Sequence, residues 1–284
     1  MLGLQATVIG HWANVPPEIG PTRTEAANSK AEYQRFAYRQ LARLPWLQYS
    51  SNSSLNGAAY ATLMEIPIER VTTVHNGIDE QALLCDAQAT KELRIELGIP
   101  DSASVVGSVM RLVDQKRPLL WVDVAAQIAA LRPDTHFVLL GSGGMSQAVS
   151  EHVAAQALDN FHLCGNRSDV GTFLSLFDVF LLTSRIEGVP NAAVEAQLSA
   201  CPVVAQDVGG VSEILSHRHT GLLLDDANPT VIAAAVLELL DSSAMADELV
   251  SNAKQEAQIR HSLVTLVDKH RKMFMIRPDM EHAA

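Results

Sequence analysis

The sequence predicts an α/β protein with a doubly wound parallel sheet. Three observations lead there. Short apolar runs alternate with longer stretches of helical periodicity along most of the 284 residues. The runs are continuously apolar rather than alternating, which suits strands covered on both faces. They are bounded by glycine or polar residues before each helical stretch, the pattern of repeated βα units.

The expected strands are residues 6–10, 46–50, 71–75, 105–110, 137–141, 161–164, 179–183, 202–205 and 221–224. Leu120, Val124, Ile128 and Leu131 mark an apolar helix stripe, with Pro118 near its first turn. Asn228-Pro229 reads as an N-cap and first helical residue, opening a helix through Leu240. From about residue 98 to 240 the βα units suffice for one whole domain. Before residue 75 there is room for only two or three. A doubly wound domain usually takes about 100–150 residues, so the first part reads as the tail of a domain whose beginning is absent. Asn76-Gly77 is a turn signal between the two. The expected division is 1–80, 81–258 and 259–284. The last piece holds an amphipathic helix over 261–276, which either packs on its own domain or crosses back to the first.

Composition removes several classes. Lys and Arg total 21 against 32 Asp and Glu, a net charge of −11, which argues against a nucleic-acid binder. Any bound anion must be caught by a local group of cations or backbone N–H groups. Cys85, Cys164 and Cys201 are an odd number without a C-x-x-C pair, which suits reduced thiols in a cytoplasm rather than disulfides or a zinc finger. No apolar run is long enough to span a bilayer, and the first residues lack a basic signal-peptide region. His217-Arg218-His219 has the wrong spacing for two ligands on one helix face.

Four loops carry candidate chemistry. In Ser184-Arg185-Ile186-Glu187-Gly188-Val189-Pro190-Asn191, a strand ends, Gly188 permits a tight turn and Pro190 pre-sets a helix. Glu187 then sits at the carboxyl edge of a sheet, where α/β folds bind ligands, and Glu195 lies on the helix's second turn. The pair suits hydroxyl-rich ligands such as a sugar or ribose; the plain alternative is charge that merely complements a helix dipole. After the strand at 105–110, Arg111 and Lys116 make a candidate diphosphate site, or a solvated loop. Gly141-Ser142-Gly143-Gly144 breaks the G-x-G-x-x-G register at Ser146 and reads as a tight βα turn beside a ligand. Val208-Gly209-Gly210-Val211-Ser212-Glu213 reads as a flexible loop opening another helix, with N–H groups for phosphate. No G-x-x-x-x-G-K-[ST] and no D-x-D occurs, so neither a P-loop nor a carboxylate clamp for a metal–nucleotide complex is indicated.

In this order, the elements resemble the donor-binding domain of the retaining glycosyltransferases of family 4. The likeness rests on Glu187 and Glu195 as Glu-x7-Glu, Arg111 and Lys116, Gly141-Ser-Gly-Gly, Leu163-Cys164-Gly165-Asn-Arg-Ser-Asp169, the stretch Asp178-Val-Phe-Leu-Leu-Thr-Ser184, Cys201-Pro-Val-Val-Ala through Gly209-Gly210 to Glu213, Thr220-Gly-Leu-Leu, and Val74-His-Asn-Gly-Ile-Asp79. It spans roughly residues 5–240. The resemblance implies a GT-B fold, a nucleotide-diphosphate sugar as donor, a glycan or lipid-linked acceptor, retention at the anomeric carbon and no metal. It implies that Arg111 and Lys116 hold the diphosphate. Glu187 and the amides of Gly188, Val189, Pro190's neighbour Asn191 and the turn they form would meet the transferred sugar. Glu195 would take the ribose hydroxyls, Leu163, Cys164 and Gly165 would face the base, and Gly141, Gly209 and Gly210 would lie near the donor. It further implies a role in bacterial polysaccharide or glycolipid assembly at the cytoplasmic side of the membrane.

The amino-terminal part departs from the family pattern. Ala6-Thr-Val-Ile-Gly-His11 resembles a strand whose following histidine lines the reacting centre, which makes His11 a catalytic candidate; an ordinary loop histidine is the alternative. An incomplete sheet would expose an unpaired edge, so self-association is expected. Arg35, Arg39 and Arg43 recur at i, i+4 and i+8, a candidate contact for anionic headgroups or simply a solvated face. Three functions compete: a retaining glycosyltransferase, a donor-binding module without catalysis, and a GT-B relative such as an epimerase or phosphorylase. The Glu-x7-Glu with Arg111 and Lys116 favours the transferase over the last.

Overall fold

The computed structural model describes Arg39 and residues 49–275. The chain divides into two compact units, residues 1–77 with 263–284, and residues 78–262.

In the first unit, β1 (Tyr49–Ser51) and β2 (Val71–Thr73) pair in parallel, Tyr49 opposite Val71. Helix α1 (Ser54–Met64) connects them. Ser53 caps it by accepting the Asn56 N–H, and Glu65 ends it in the left-handed region. The C-terminal helix α9 (Leu263–Met275) belongs to the same unit, with Leu263 and Leu266 packed on Gly77. Arg39 donates to the Leu63 carbonyl at 3.1 Å and pairs with Glu65 at 3.2 Å. Arg39 is thus engaged within the protein. Arg35, Arg43, His11 and the strand expected at 6–10 lie outside the described residues.

The second unit carries six parallel strands: β3 (Val105–Val109), β4 (His136–Leu140), β5 (Phe161–Gly165), β6 (Val179–Leu182), β7 (Val203–Gln206) and β8 (Leu222–Leu224). Their order across the sheet is β5-β4-β3-β6-β7-β8. Every strand expected from the sequence in this unit is present, with ends shifted by a residue or so. Successive side chains on a strand face opposite sides, and both sides are covered. Val105, Phe180 and Val203 face Leu93, Phe173, Leu174 and Val194, from α2 (Ala87–Leu97), α5 (Val170–Leu176) and α6 (Asn191–Leu198). Val106, Phe137 and Leu181 face Trp121, Ile128, Val149, Val236 and Leu249. Those five come from α3 (Pro118–Leu131), α4 (Ser146–Ala155), α7 (Pro229–Asp241) and α8 (Ser243–Arg260).

Two sequence readings need correction. The buried face of α3 is Trp121, Val122, Val124, Ala125 and Ile128, while Leu131 at the last turn is 71% exposed. Trp121, on the first turn, anchors that face: its ring meets Phe137 and Phe161 edge-on and its Nε1–H donates to the Leu181 carbonyl at 3.2 Å. The loop after β7 opens no α-helix. It forms a 3₁₀ turn over Gly209–Glu213, because Gly209 adopts a left-handed φ of 56° at its start. The Asn228 cap is as expected, its side chain accepting the Thr230 N–H ahead of Pro229.

Candidate active site

The strand order fixes where a ligand belongs. Connections from β3 run to β4 on one side, and those from β6 run to β7 on the other, so the order reverses between β3 and β6. At such a switch point the two flanking loops diverge and leave a crevice at the carboxyl ends of the strands. The loop after β3 holds Arg111 and Lys116, and the loop after β6 holds Glu187 and residues 188–191. The topology therefore brings together loops separated by 71 residues in sequence.

The two loops are sewn to each other. The Lys116 ammonium meets the Glu187 carboxylate at 2.5 Å, with only 16% and 6% of the side chains exposed. Gln115 donates its amide to the Ile186 carbonyl at 2.9 Å, and the Arg185 N–H donates back to the Gln115 carbonyl at 2.9 Å. At the exposed rim Arg185 pairs with Asp114 at 2.6 Å. Thr183 donates its hydroxyl to the Lys116 carbonyl at 3.1 Å.

Neighbouring loops close in on the same crevice. Gly141, at φ 124°, lies so close to the Met110 carbonyl that any Cβ would collide with it. Its N–H donates to the Gly165 carbonyl at 2.7 Å, and Leu112 bonds the Ser142 carbonyl at 2.9 Å. Gly209 packs against the Glu187 carbonyl with no room for a Cβ. The Gly210 N–H donates to that carbonyl at 3.3 Å, so this amide holds the Glu187 loop.

Two charged side chains stand apart from this stitching. Arg111 is exposed, and its guanidinium has no ion pair or side-chain hydrogen bond among the described residues. Glu195 is half-buried on the second turn of α6 and likewise has none. Burial alone pushes its carboxyl above the ordinary range. A desolvated acid without a partner, on the helix that follows the β6 loop, is a candidate ligand contact rather than a stabilising charge. Val189 and Pro190 are buried, with Pro190 at the N-cap of α6 instead of inside its first turn, and Asn191 is exposed. On β5, Leu163 is 39% exposed, and burial pushes the Cys164 thiol up to about 11. Among the described residues no three His, Cys, Asp or Glu side chains gather as metal ligands.

Sequence reasoning missed the residues that hold this site: Arg117, Gln115, Thr183 and Gln206. Arg117 sits at φ 48° and ψ 56°, just before Pro118. A residue before proline avoids the right-handed helical region, which was the one local sign of an unusual backbone there.

The sequence profile of the glycosyl transferases group 1 matches residues 89–256, more than half of the chain. The chain belongs to that family. This group 1 glycosyl transferase is 31% identical over 202 residues to the Vi polysaccharide biosynthesis protein VipC/TviE of Salmonella typhi, covering 70% of this chain and 35% of that protein. It is 28% identical over 211 residues to a D-inositol 3-phosphate glycosyltransferase of Jonesia denitrificans, covering 69% and 49%. The chain thus spans about half or less of the length of these relatives. Among solved structures, Anabaena HepE in complex with UDP-glucose superposes with a TM-score of 0.76 at 22% identity, covering 86% of this chain and 69% of that one. WaaG, a glycosyltransferase of lipopolysaccharide biosynthesis, superposes with a TM-score of 0.78 at 15% identity, covering 95% and 74%. The fold is α/β of the GT-B type, as the sequence resemblance implied. No single helix among the described residues is long and apolar enough to cross a membrane.

Proposed function

We propose that this chain acts as a retaining glycosyltransferase of family 4, moving a sugar from a nucleotide-diphosphate donor to a glycan or lipid-linked acceptor in bacterial polysaccharide or glycolipid synthesis. The observation that carries the proposal is the β3/β6 crevice. There Lys116 of the β3 loop pairs with Glu187 of the β6 loop, Arg111 lies exposed on the first of these loops, and Glu195 lies half-buried on the helix after the second. The relative from Salmonella typhi is named for polysaccharide biosynthesis, and HepE was crystallised with UDP and UDP-glucose.

Breaking the sugar–phosphate bond leaves extra negative charge on the leaving diphosphate. In this proposal Lys116, held by Glu187, and Arg111, exposed on the same loop, stabilise that charge more as it develops than in the bound donor. These two side chains supply the counter-charge in this proposal, which therefore invokes no metal. Glu187, backed by Lys116, and the turn from Gly188 to Asn191 take the sugar end. Glu195 accepts from the ribose hydroxyls, and residues 163–165 flank the base. His11, outside the described residues, is proposed as a further catalytic residue. The enzyme is proposed to work in the cytoplasm, with peripheral membrane contact through Arg35 and Arg43 and self-association as further readings.

The test is thermal shift against a panel of uridine, guanosine and adenosine diphosphate sugars, followed by diphosphate release with the best donor. A donor that stabilises the fold and is turned over supports the transferase. Stabilisation without release under any acceptor supports a binding module instead. Arg111→Ala is expected to weaken the best donor by about 10- to 100-fold, the loss of a charge-assisted contact. Unchanged donor affinity in this variant removes the diphosphate assignment.

A further inference from the structure

Arg117 is a half-buried cation that the proposed chemistry does not use. Its Nε–H donates to the Thr183 carbonyl at 2.7 Å. Its Nη2 donates to the Ser184 carbonyl at 3.1 Å and to the Gln206 side-chain oxygen at 3.3 Å. Gln206 in turn donates to the Asp226 carbonyl at 3.0 Å. In the other direction, Thr183 donates its hydroxyl to the Lys116 carbonyl at 3.1 Å and the Arg117 carbonyl at 3.3 Å. One guanidinium thereby ties the end of the β3 loop to the first residues of the β6 loop and to the last residue of β7.

Three features make this tie specific to arginine. The acceptors lie on the β6 loop and at the end of β7, and a planar fork with several N–H groups reaches them together. Ser184 is fully buried, and its own hydroxyl has no partner, so its position depends on backbone contacts such as the one from Arg117. The backbone of Arg117 is left-handed, a conformation that disfavours a side chain unless its contacts repay the strain. Lys116 is the adjacent residue, and Glu187 begins three residues after Ser184. Moving either carbonyl anchor would change the Lys116–Glu187 separation.

We infer that Arg117 is a positioning residue, a clamp that sets the distance between the β3 and β6 loops and so holds Lys116 and Glu187 at the reacting end of the donor. The inference rests on the glycosyltransferase reading for its catalytic consequence, but the clamp itself is a property of the loops.

The experiment uses Arg117→Gly, which relieves the left-handed strain while removing all three donors, and Arg117→Lys, which keeps the charge without the fork. Hydrogen–deuterium exchange reads the clamp independently of activity. In Arg117→Gly, amides of residues 184–191 are expected to exchange at least tenfold faster, with those of β4 unchanged. With the best donor of the panel, both variants are expected to lose at least tenfold in kcat while the Kd for the free nucleoside diphosphate changes less than threefold. Methylguanidinium added to Arg117→Gly is expected to restore part of kcat. Wild-type exchange in residues 184–191, or wild-type kcat in both variants, overturns the clamp. So does a loss of nucleotide affinity equal to the loss of kcat. If the wild-type chain binds no donor in the panel, the transferase reading fails, and the exchange measurement alone decides the clamp.

Discussion

The two rims of the six-stranded sheet treat charge in opposite ways. At the amino rim, polar groups find partners and close the fold. Asp178 accepts the Val105 N–H at 2.7 Å, and Arg94 donates to the Pro100 and Ala103 carbonyls at 2.9 and 3.3 Å. His136 and His162 stack and share a ring-nitrogen contact of 3.0 Å. At the carboxyl rim, Arg111 and Glu195 have no such partners among the described residues, and Arg117 holds a left-handed backbone. Unpaired, desolvated charge costs stability, so Glu195 marks this rim as the one suited to a ligand. The Lys116–Glu187 pair is intermediate: structural in its burial, functional in its place.

The sharpest way to break this contrast is to treat that pair as an amino-rim pair. Lys116→Met leaves Glu187 buried without a counter-charge and is expected to cost about 3–5 kcal/mol in chemical denaturation. The double variant Lys116→Met/Glu187→Leu is expected to recover most of that stability and none of the donor binding. Recovery of both would make the pair purely structural.

Glu195→Gln sharpens the comparison from the other side. Removing an unpaired charge is expected to leave stability equal or higher at pH 7, while nucleotide affinity falls by about tenfold, roughly one charged hydrogen bond. Because burial raises the Glu195 pKa, the folded protein binds its proton more readily than the unfolded chain. Its penalty is present at neutral pH and fades as pH falls through the folded value. A fall in stability in Glu195→Gln would reassign the residue to the framework.

The amino rim has the opposite pH signature. Burial, the largest cause, pushes both His136 and His162 below the ordinary histidine value; Arg94 adds to the effect at His136, which Asp134 opposes, and His136 adds to it at His162. The unfolded chain then takes up protons first, so stability is lost as pH falls below about 6.5. Replacing both rings by Phe is expected to flatten that slope with donor affinity unchanged. Denaturation midpoints between pH 7.5 and 5 decide it.

The smallest effect is expected at Asp178→Asn. The amide oxygen can still accept the Val105 N–H, and burial already pushes the native carboxyl up, with that hydrogen bond opposing it. A change within about 1 kcal/mol and no change in donor binding are expected.

Much of this was readable from residue order. The strands of the second unit, the Asn228 cap and the Glu187-to-Glu195 spacing are local matters of apolar runs, capping chemistry and helical rise. Leu131 and the turn after β7 differ from the sequence expectation for reasons that are not local. Which stripe of α3 is buried depends on where Trp121 finds Phe137, Phe161 and the Leu181 carbonyl. Whether a Gly-Gly loop becomes helix or 3₁₀ turn depends on the Glu187 carbonyl packed against it.

By itself, then, the sequence determined the α/β alternation and the set of charged side chains at strand ends, because periodicity and turn chemistry act over a few residues. Only the tertiary structure decided which charges pair and which stay unpaired. The order β5-β4-β3-β6-β7-β8 folds the β3 and β6 loops together, and that juxtaposition joins Lys116 to Glu187, clamps both through Arg117, and leaves Arg111 and Glu195 without partners.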